Sequence, residues 1–219
     1  ECGGYLTLDS GVFMSPHYPN NYDFNDECVW EISTSEFHII NLVIEDIKMP
    51  NSKNCSQSFL AVHDGYSISD PVIATFCGEP GKELRVNSTK NSMIVHFKAD
   101  GRSVAKGFKA KYKIACGGKA VIGSSHFGTI SSTNYPNFMS NNQDCHWTLT
   151  TDNPQDRIML TFTHLQAVHN EVDDNFIEVY EGTSSDRPPI GRYFNIITLP
   201  IFSQGNSLHI YQHNNVVFR

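Results

Sequence analysis

A chain of 219 residues with 39% hydrophobic and 18% charged side chains carries enough apolar material for two cores of ordinary size, which excludes a disordered tail or a fibre. Its net charge of −7 divides into −3 for residues 1–115 (11 basic, 14 acidic) and −4 for residues 116–219 (5 basic, 9 acidic), without a basic stripe. Nucleic acid and anionic membrane surfaces are thereby excluded as expected partners, and no run of about 20 apolar residues is present for direct membrane insertion.

In chain order, Glu1-Cys2 opens without a charged-then-apolar leader, so the start is expected to be a mature or excised boundary. Period-two alternation then appears in Ile40-Asn41-Leu42-Val43-Ile44, Met93-Ile94-Val95-His96-Phe97 and Phe108-Lys109-Ala110-Lys111-Tyr112-Lys113-Ile114. The last of these places its apolar side chains on one face and its lysines on the other, the pattern of a half-buried antiparallel strand. Ile158-Met159-Leu160-Thr161-Phe162 and Leu208-His209-Ile210-Tyr211-Gln212 repeat the alternation, with Gly, Asn, Asp and Pro between the runs. No long window favours a 3.6-residue period, so the predicted class is all-β, with each core a two-sheet sandwich. Asp64-Gly65 and Glu181-Gly182 are expected to end strands, glycine supplying the positive φ of a tight turn.

The second half restates the first. Cys2-Gly3-Gly4 returns as Cys116-Gly117-Gly118, Cys28-Val29-Trp30 as Cys145-His146-Trp147, and Ala61-Val62-His63-Asp64-Gly65 as Glu178-Val179-Tyr180-Glu181-Gly182. Self-similarity at this length predicts two domains on one plan, 1–115 and 116–219, joined without a Pro- or Ser-rich spacer.

Six cysteines could pair in about 15 ways, but the repeat sets Cys2/Cys28 and Cys116/Cys145 in equivalent places. The expected pairs are Cys2–Cys28, Cys55–Cys77 and Cys116–Cys145. Each closes a loop of about 20 to 30 residues, worth about 3 to 4 kcal/mol in the chain-entropy account. No two cysteines have the close spacing of a zinc site, and oxidised cysteines imply an extracellular setting. Asn54-Cys55-Ser56 and Asn87-Ser88-Thr89 make Asn54 and Asn87 candidate glycosylation sites.

Cys-Gly-Gly, the run Ser15-Pro16-His17-Tyr18-Pro19-Asn20-Asn21-Tyr22, Glu27-Cys28-Val29-Trp30, Phe76-Cys77-Gly78 and Gly107-Phe108-Lys109-Ala110-Lys111-Tyr112 together resemble the CUB domain. The resemblance covers essentially the whole chain. It implies two tandem CUB-type antiparallel β-sandwiches, jelly-roll-like and of about ten strands each. The second is expected to be truncated at its C-terminal strand, since the chain reaches Arg219 before a full counterpart of residues 107–112. Val172 and Tyr193-Phe194-Asn195 stand where the second repeat would carry its other cysteine pair, and a Val–Phe contact is expected in place of that disulfide.

Many CUB domains hold calcium with three acidic side chains, and a basic side chain of the ligand pairs with those carboxylates. The corresponding positions read Pro50, Ser58 and Asp100 in the first repeat and Val168, Asn175 and Asn214 in the second, with Glu171, Asp173 and Asp174 nearby. No metal or other cofactor is therefore expected, with calcium as the alternative, chiefly at the acidic run 171–174 of the second repeat. Ten histidines, six of them in the second repeat, raise pH-sensitive ligand release; His209 and His213 lie about 13 Å apart along one strand, too far to chelate one ion. Trp30 and Trp147 are expected to pack beside the disulfides, and Arg102 and Lys48 to be exposed. No His-Glu-x-x-His, Gly-x-Ser-x-Gly or phosphate-loop motif occurs, so no enzyme is expected.

The resemblance implies protein-binding modules outside the cell or at its surface, peripheral to plasma membrane and endosomes. Direct joining of the repeats suggests an uninterrupted array in an endocytic receptor that captures carrier–vitamin complexes and plasma proteins. Expected partners are extracellular protein ligands and neighbouring CUB repeats. Rival readings are a non-catalytic segment of a secreted protease or matrix assembly protein, and a pair of structural spacers.

Overall fold

The computed structural model describes residues 2–123, 126–133, 135–136, 143–165, 175–195 and 199–214, and among them the secondary structure is strand apart from one 3-10 turn, Lys53–Cys55. The chain divides into two units, Glu1–Ala115 and Cys116–Arg219.

In the first unit the strands are β1 (Gly4–Leu6), β2 (Ser10–Met14), β3 (Glu27–Ser33), β4 (His38–Lys48), β5 (Phe59–His63), β6 (Val72–Phe76), β7 (Leu84–Asn87), β8 (Ser92–Lys98) and β9 (Gly107–Cys116). They form a five-stranded sheet in the order β1-β3-β8-β5-β6 and a four-stranded sheet in the order β2-β9-β4-β7. Alternation decides which side chains meet between them: Phe108, Ala110, Tyr112 and Ile114 are buried, whereas Lys111 and Lys113 are exposed. Lys109 and Lys111 pair with Glu45 of β4 on the outer face, at 3.1 and 2.6 Å. Trp30 packs between Phe13, at 5.2 Å between ring centroids, and Phe108, edge-on at 5.5 Å, so it belongs to the core rather than to a surface.

The second unit repeats this order. Its strands are β10 (Gly118–Ile122), β11 (Gln143–Thr151), β12 (Met159–Leu160), β13 (Asn175–Glu181), β14 (Gly191–Tyr193), β15 (Ile201–Phe202) and β16 (Ser207–Asn214). The main sheet runs β10-β11-β16-β13-β14, and β12 pairs with β15. Registers coincide as well: Gly4 lies opposite Trp30 in a parallel pair, and Gly118 opposite Trp147 in another. The glycines before them are required by close approach. A Cβ on Gly3 would stand 2.5 Å from the Val29 carbonyl oxygen, and one on Gly117 2.7 Å from that of His146, both at positive φ.

Disulfides join Cys2 to Cys28, Cys55 to Cys77 and Cys116 to Cys145, with Cα separations of 5.4, 5.5 and 5.2 Å. Two local expectations need amendment, and a third lies outside the described residues. The alternation at residues 158–162 yields only the two-residue β12. Gly182 has a φ of +94°, whereas Gly65 needs no positive φ; there a Cβ would stand 2.2 Å from the Asp70 carboxylate. Val172 lies outside the described residues, as does anything beyond Asn214; nearby, Tyr193 of β14 packs on Phe162 at 5.6 Å.

Candidate functional site

The loops at one end of the first sandwich bring Ser58 and Asp100 together. Ser58 Oγ donates to Asp100 Oδ1 at 3.2 Å and accepts from the Asp100 backbone N–H at 3.0 Å. Asp100 Oδ1 also accepts from the Arg102 N–H, the Ser103 N–H and the Ser103 hydroxyl, at 3.4, 3.3 and 3.2 Å. Burial pushes the Asp100 carboxyl up, but these donors outweigh it and hold the group below its ordinary value. Beside them the Tyr22 hydroxyl is buried without a hydrogen-bond partner. Its pKa is raised by burial, with Ser58, close by but outside hydrogen-bond geometry, opposing the shift.

This end does not suit calcium. A hard dication takes six to eight oxygens with several carboxylates, whereas positions 50, 58 and 100 supply one carboxylate whose oxygen is already occupied by protein donors. In the second unit Asn175 and Asn214 lie directly opposite each other across β13 and β16, as neutral amides. Val168, Glu171, Asp173 and Asp174 fall outside the described residues. Of the two basic candidates, Lys48 pairs with Glu79 at 3.2 Å, and Arg102 is exposed.

A second feature had no sequence signal of its own. On the outer face of the β1-β3-β8-β5-β6 sheet a groove of about 390 Å³ is lined by Gly4, Tyr5, Val29, Glu31, Ile94 and residues 66–68. Its construction follows from β3. Cys28, Trp30 and Ile32 face the core, so Val29 and Glu31 must face out, and Ile94 lies directly opposite Glu31 on β8. Ile94 forms the floor at 2% exposure, while Tyr5, Tyr66 and Ile68 form walls at 79%, 56% and 52%. Asp70 fixes the upper wall by accepting from the N–H groups of Tyr66 and Ser67 at 2.8 and 2.9 Å. The Tyr66 hydroxyl donates to Asn91 at 2.9 Å. No cation among the described residues pairs with Glu31. A fixed apolar trough with one free carboxylate suits a partner side chain that is apolar along its stem and basic at its end.

Farther along the same face, Glu27 bridges His96 Nε2 at 2.7 Å and Lys98 at 3.2 Å. Its carboxyl is lowered first by His96 and then by Lys98. In the second unit His209 lies 3.3 Å from His146 and 3.2 Å from the Thr148 hydroxyl, and is lowered by burial and by His146. His213 meets Asp144 and Tyr211, and the Tyr211 ring stacks on His146, so the two histidines sit at opposite ends of one continuous cluster. Asn54 and Asn87 are both exposed.

A family model described as the CUB domain matches residues 2–112 and again 116–217. The chain belongs to the CUB domain family. Cubilin of Rattus norvegicus is 35% identical over 212 residues, covering 95% of this chain and 6% of that protein. Tolloid-like protein 1 of Homo sapiens is 31% identical over 193 residues, covering 88% of the chain and 19% of that protein. The chain thus spans a small fraction of either relative. Among solved structures, the CUB1-EGF-CUB2 domains of rat MASP-1 are 20% identical with a TM-score of 0.46, covering 99% of this chain and 96% of that one. Two CUB repeats are protein-binding, non-catalytic modules of the kind found outside cells or at their surface.

Proposed function

We propose that these CUB repeats are a ligand-capturing segment of a cubilin-like endocytic receptor, with carrier–vitamin complexes and plasma proteins as ligand classes. The observation that carries this is the groove over Ile94, where the exposed Tyr5, Tyr66 and Ile68 surround Glu31, a carboxylate that no cation among the described residues pairs with. Aromatic anchors around a desolvated floor supply most of the energy in protein interfaces. The cubilin match, at 35% identity against 31% for the tolloid-like protein, favours the receptor setting over the protease one. Docking here needs no calcium, consistent with the single occupied carboxylate at the sandwich end.

The test immobilises the whole chain and measures binding of purified vitamin-carrier proteins and plasma proteins, in calcium and in chelator. Binding that persists in chelator and weakens at least tenfold in a Tyr66→Ala, Ile68→Asp variant is expected, since losing an aromatic anchor costs about 2 kcal/mol or more. Ligand binding unchanged in that variant overturns the groove. Absence of any binding leaves the spacer reading in its place. The tolloid-like match supports a second reading, in which the same surface positions a protease substrate.

The secretory setting extends to modification. Asn54 and Asn87 are proposed to carry N-glycans in protein made by animal cells; enzymatic deglycosylation followed by mass spectrometry should convert each to Asp. An unmodified Asn at both positions refutes this.

A further inference from the structure

We propose that Asp144, Tyr211 and His213 form a binding site for a divalent first-row transition ion, Cu2+ most tightly, on the outer face of the second CUB sheet. Asp144 of β11 lies directly opposite His213 of β16, and Tyr211 stands two residues earlier on the same face. Their donor atoms close a triangle. His213 Nδ1 is 2.6 Å from Asp144 Oδ1, the Tyr211 hydroxyl is 3.2 Å from that same oxygen, and the hydroxyl is 3.1 Å from Nδ1.

The three groups are hydrogen-bonded to one another as they stand, and the same separations would let them share one ion. With bonds of about 2.0 to 2.2 Å, two donors at right angles around a metal lie about 3.0 Å apart. One imidazole and two oxygens are borderline donors that suit Cu2+ or Zn2+, and affinity at such sites rises to copper along the divalent series. Among the described residues no three His, Cys, Asp or Glu side chains converge in this way; the phenol is what completes the triangle.

Support around the triangle fixes its geometry. The Tyr211 ring stacks on His146 at 4.6 Å between centroids and meets Phe176 edge-on at 5.8 Å, so the hydroxyl is aimed rather than free to swing. Arg192 lies over the Phe176 ring at 3.9 Å and is itself paired with Glu178. The mouth is open: the side chains of His213 and Asp144 are 27% and 54% exposed, so water can enter and fill the remaining positions. Binding through His213 Nδ1 requires that nitrogen to be unprotonated, with the ring proton on Nε2, and, where Tyr211 binds as phenolate, its proton passes to solvent.

The site is tested by titrating the whole chain with Cu2+, followed by electron paramagnetic resonance and visible absorption. One ion per chain is expected, with a nitrogen ligand in the resonance spectrum and a phenolate-to-copper charge-transfer band. Tyr211→Phe, which keeps the ring stack, should abolish the band, and His213→Gln or Asp144→Asn should weaken binding at least tenfold. His38→Gln, in the first unit, should change nothing. Far-ultraviolet circular dichroism of each variant confirms folding. Copper uptake that survives all three triad substitutions, or no uptake by the folded chain, overturns the proposal.

Discussion

At the level of single residues, the sequence identified turn glycines but not what makes them obligatory. Gly65 is the instructive position: glycine at a strand end suggested backbone freedom, yet the demand comes from Asp70, five residues on, whose carboxylate occupies the space of a Cβ. Asp70→Ala should therefore leave the Tyr66 and Ser67 N–H groups without their acceptor, cost about 1 to 3 kcal/mol in urea unfolding, and loosen the groove wall. An unchanged unfolding midpoint would contradict this role. Asp46 gives a prediction in pH. Lys106 and Tyr18 both bond to its carboxylate, with Lys106 the larger cause, and hold it below its ordinary value of 3.8. The unfolded chain then takes up this proton first as pH falls, so the stabilisation is complete above about pH 3.8 and vanishes as pH drops through the lower folded value. In Asp46→Asn the deficit in melting temperature should be widest near neutrality and close in strong acid. A deficit independent of pH would show that packing, not charge, is what Asp46 contributes.

Among the strands, alternation was a sound guide where one face met solvent and a poor one where both faces were covered. Residues 108–114 fit the first case, because the lysines of β9 remain on the outer face with Glu45. β8 fits the second. Ile94 and His96 alternate with core residues on this strand, yet both are buried, with Phe59 edge-on to His96 at 5.2 Å and Glu27 bonded to it. Period-two reading sees one strand, whereas these contacts come from residues distant in sequence. The groove was invisible for the same reason: its floor, walls and carboxylate come from separate segments. Cysteine pairing was more legible, since the repeat set Cys2/Cys28 and Cys116/Cys145 in equivalent places and left Cys55 and Cys77 to each other. The Cys55–Cys77 bridge ties the 3-10 turn to the residue after β6 across 22 positions. Replacing both cysteines with serine should lower stability by about 3 kcal/mol in the loop-entropy account. The expected readout is a lower urea midpoint for the first unit, and an equal midpoint would mean the bridge is redundant with packing.

Across the whole molecule the repeat was the strongest sequence signal because it reflects one architecture used twice, down to Gly4 opposite Trp30 and Gly118 opposite Trp147. The surfaces built on that frame diverge. One outer sheet face carries an apolar groove with a free Glu31, and the other carries His146, Phe176, Tyr211 and His213. Buried positions answer to the shared core, while outward positions are free to differ, so a common fold does not impose a common ligand. Calcium offers a test of that separation in the first unit. A ligand bound only by the folded state at 100 times its dissociation constant would stabilise it by about 2.7 kcal/mol. Asp100 alone, with its oxygen already accepting from Ser58 and Ser103, offers no such site. Trp30 can report the outcome, because only two tryptophans occur and Trp147→Phe removes the other. Its fluorescence follows the first core, where it contacts Phe13 and Phe108. Its melting transition should be the same in millimolar calcium and in chelator, whereas an upward shift in calcium would mean that the loop around Asp100 rearranges to recruit carboxylates from beyond positions 50 and 58.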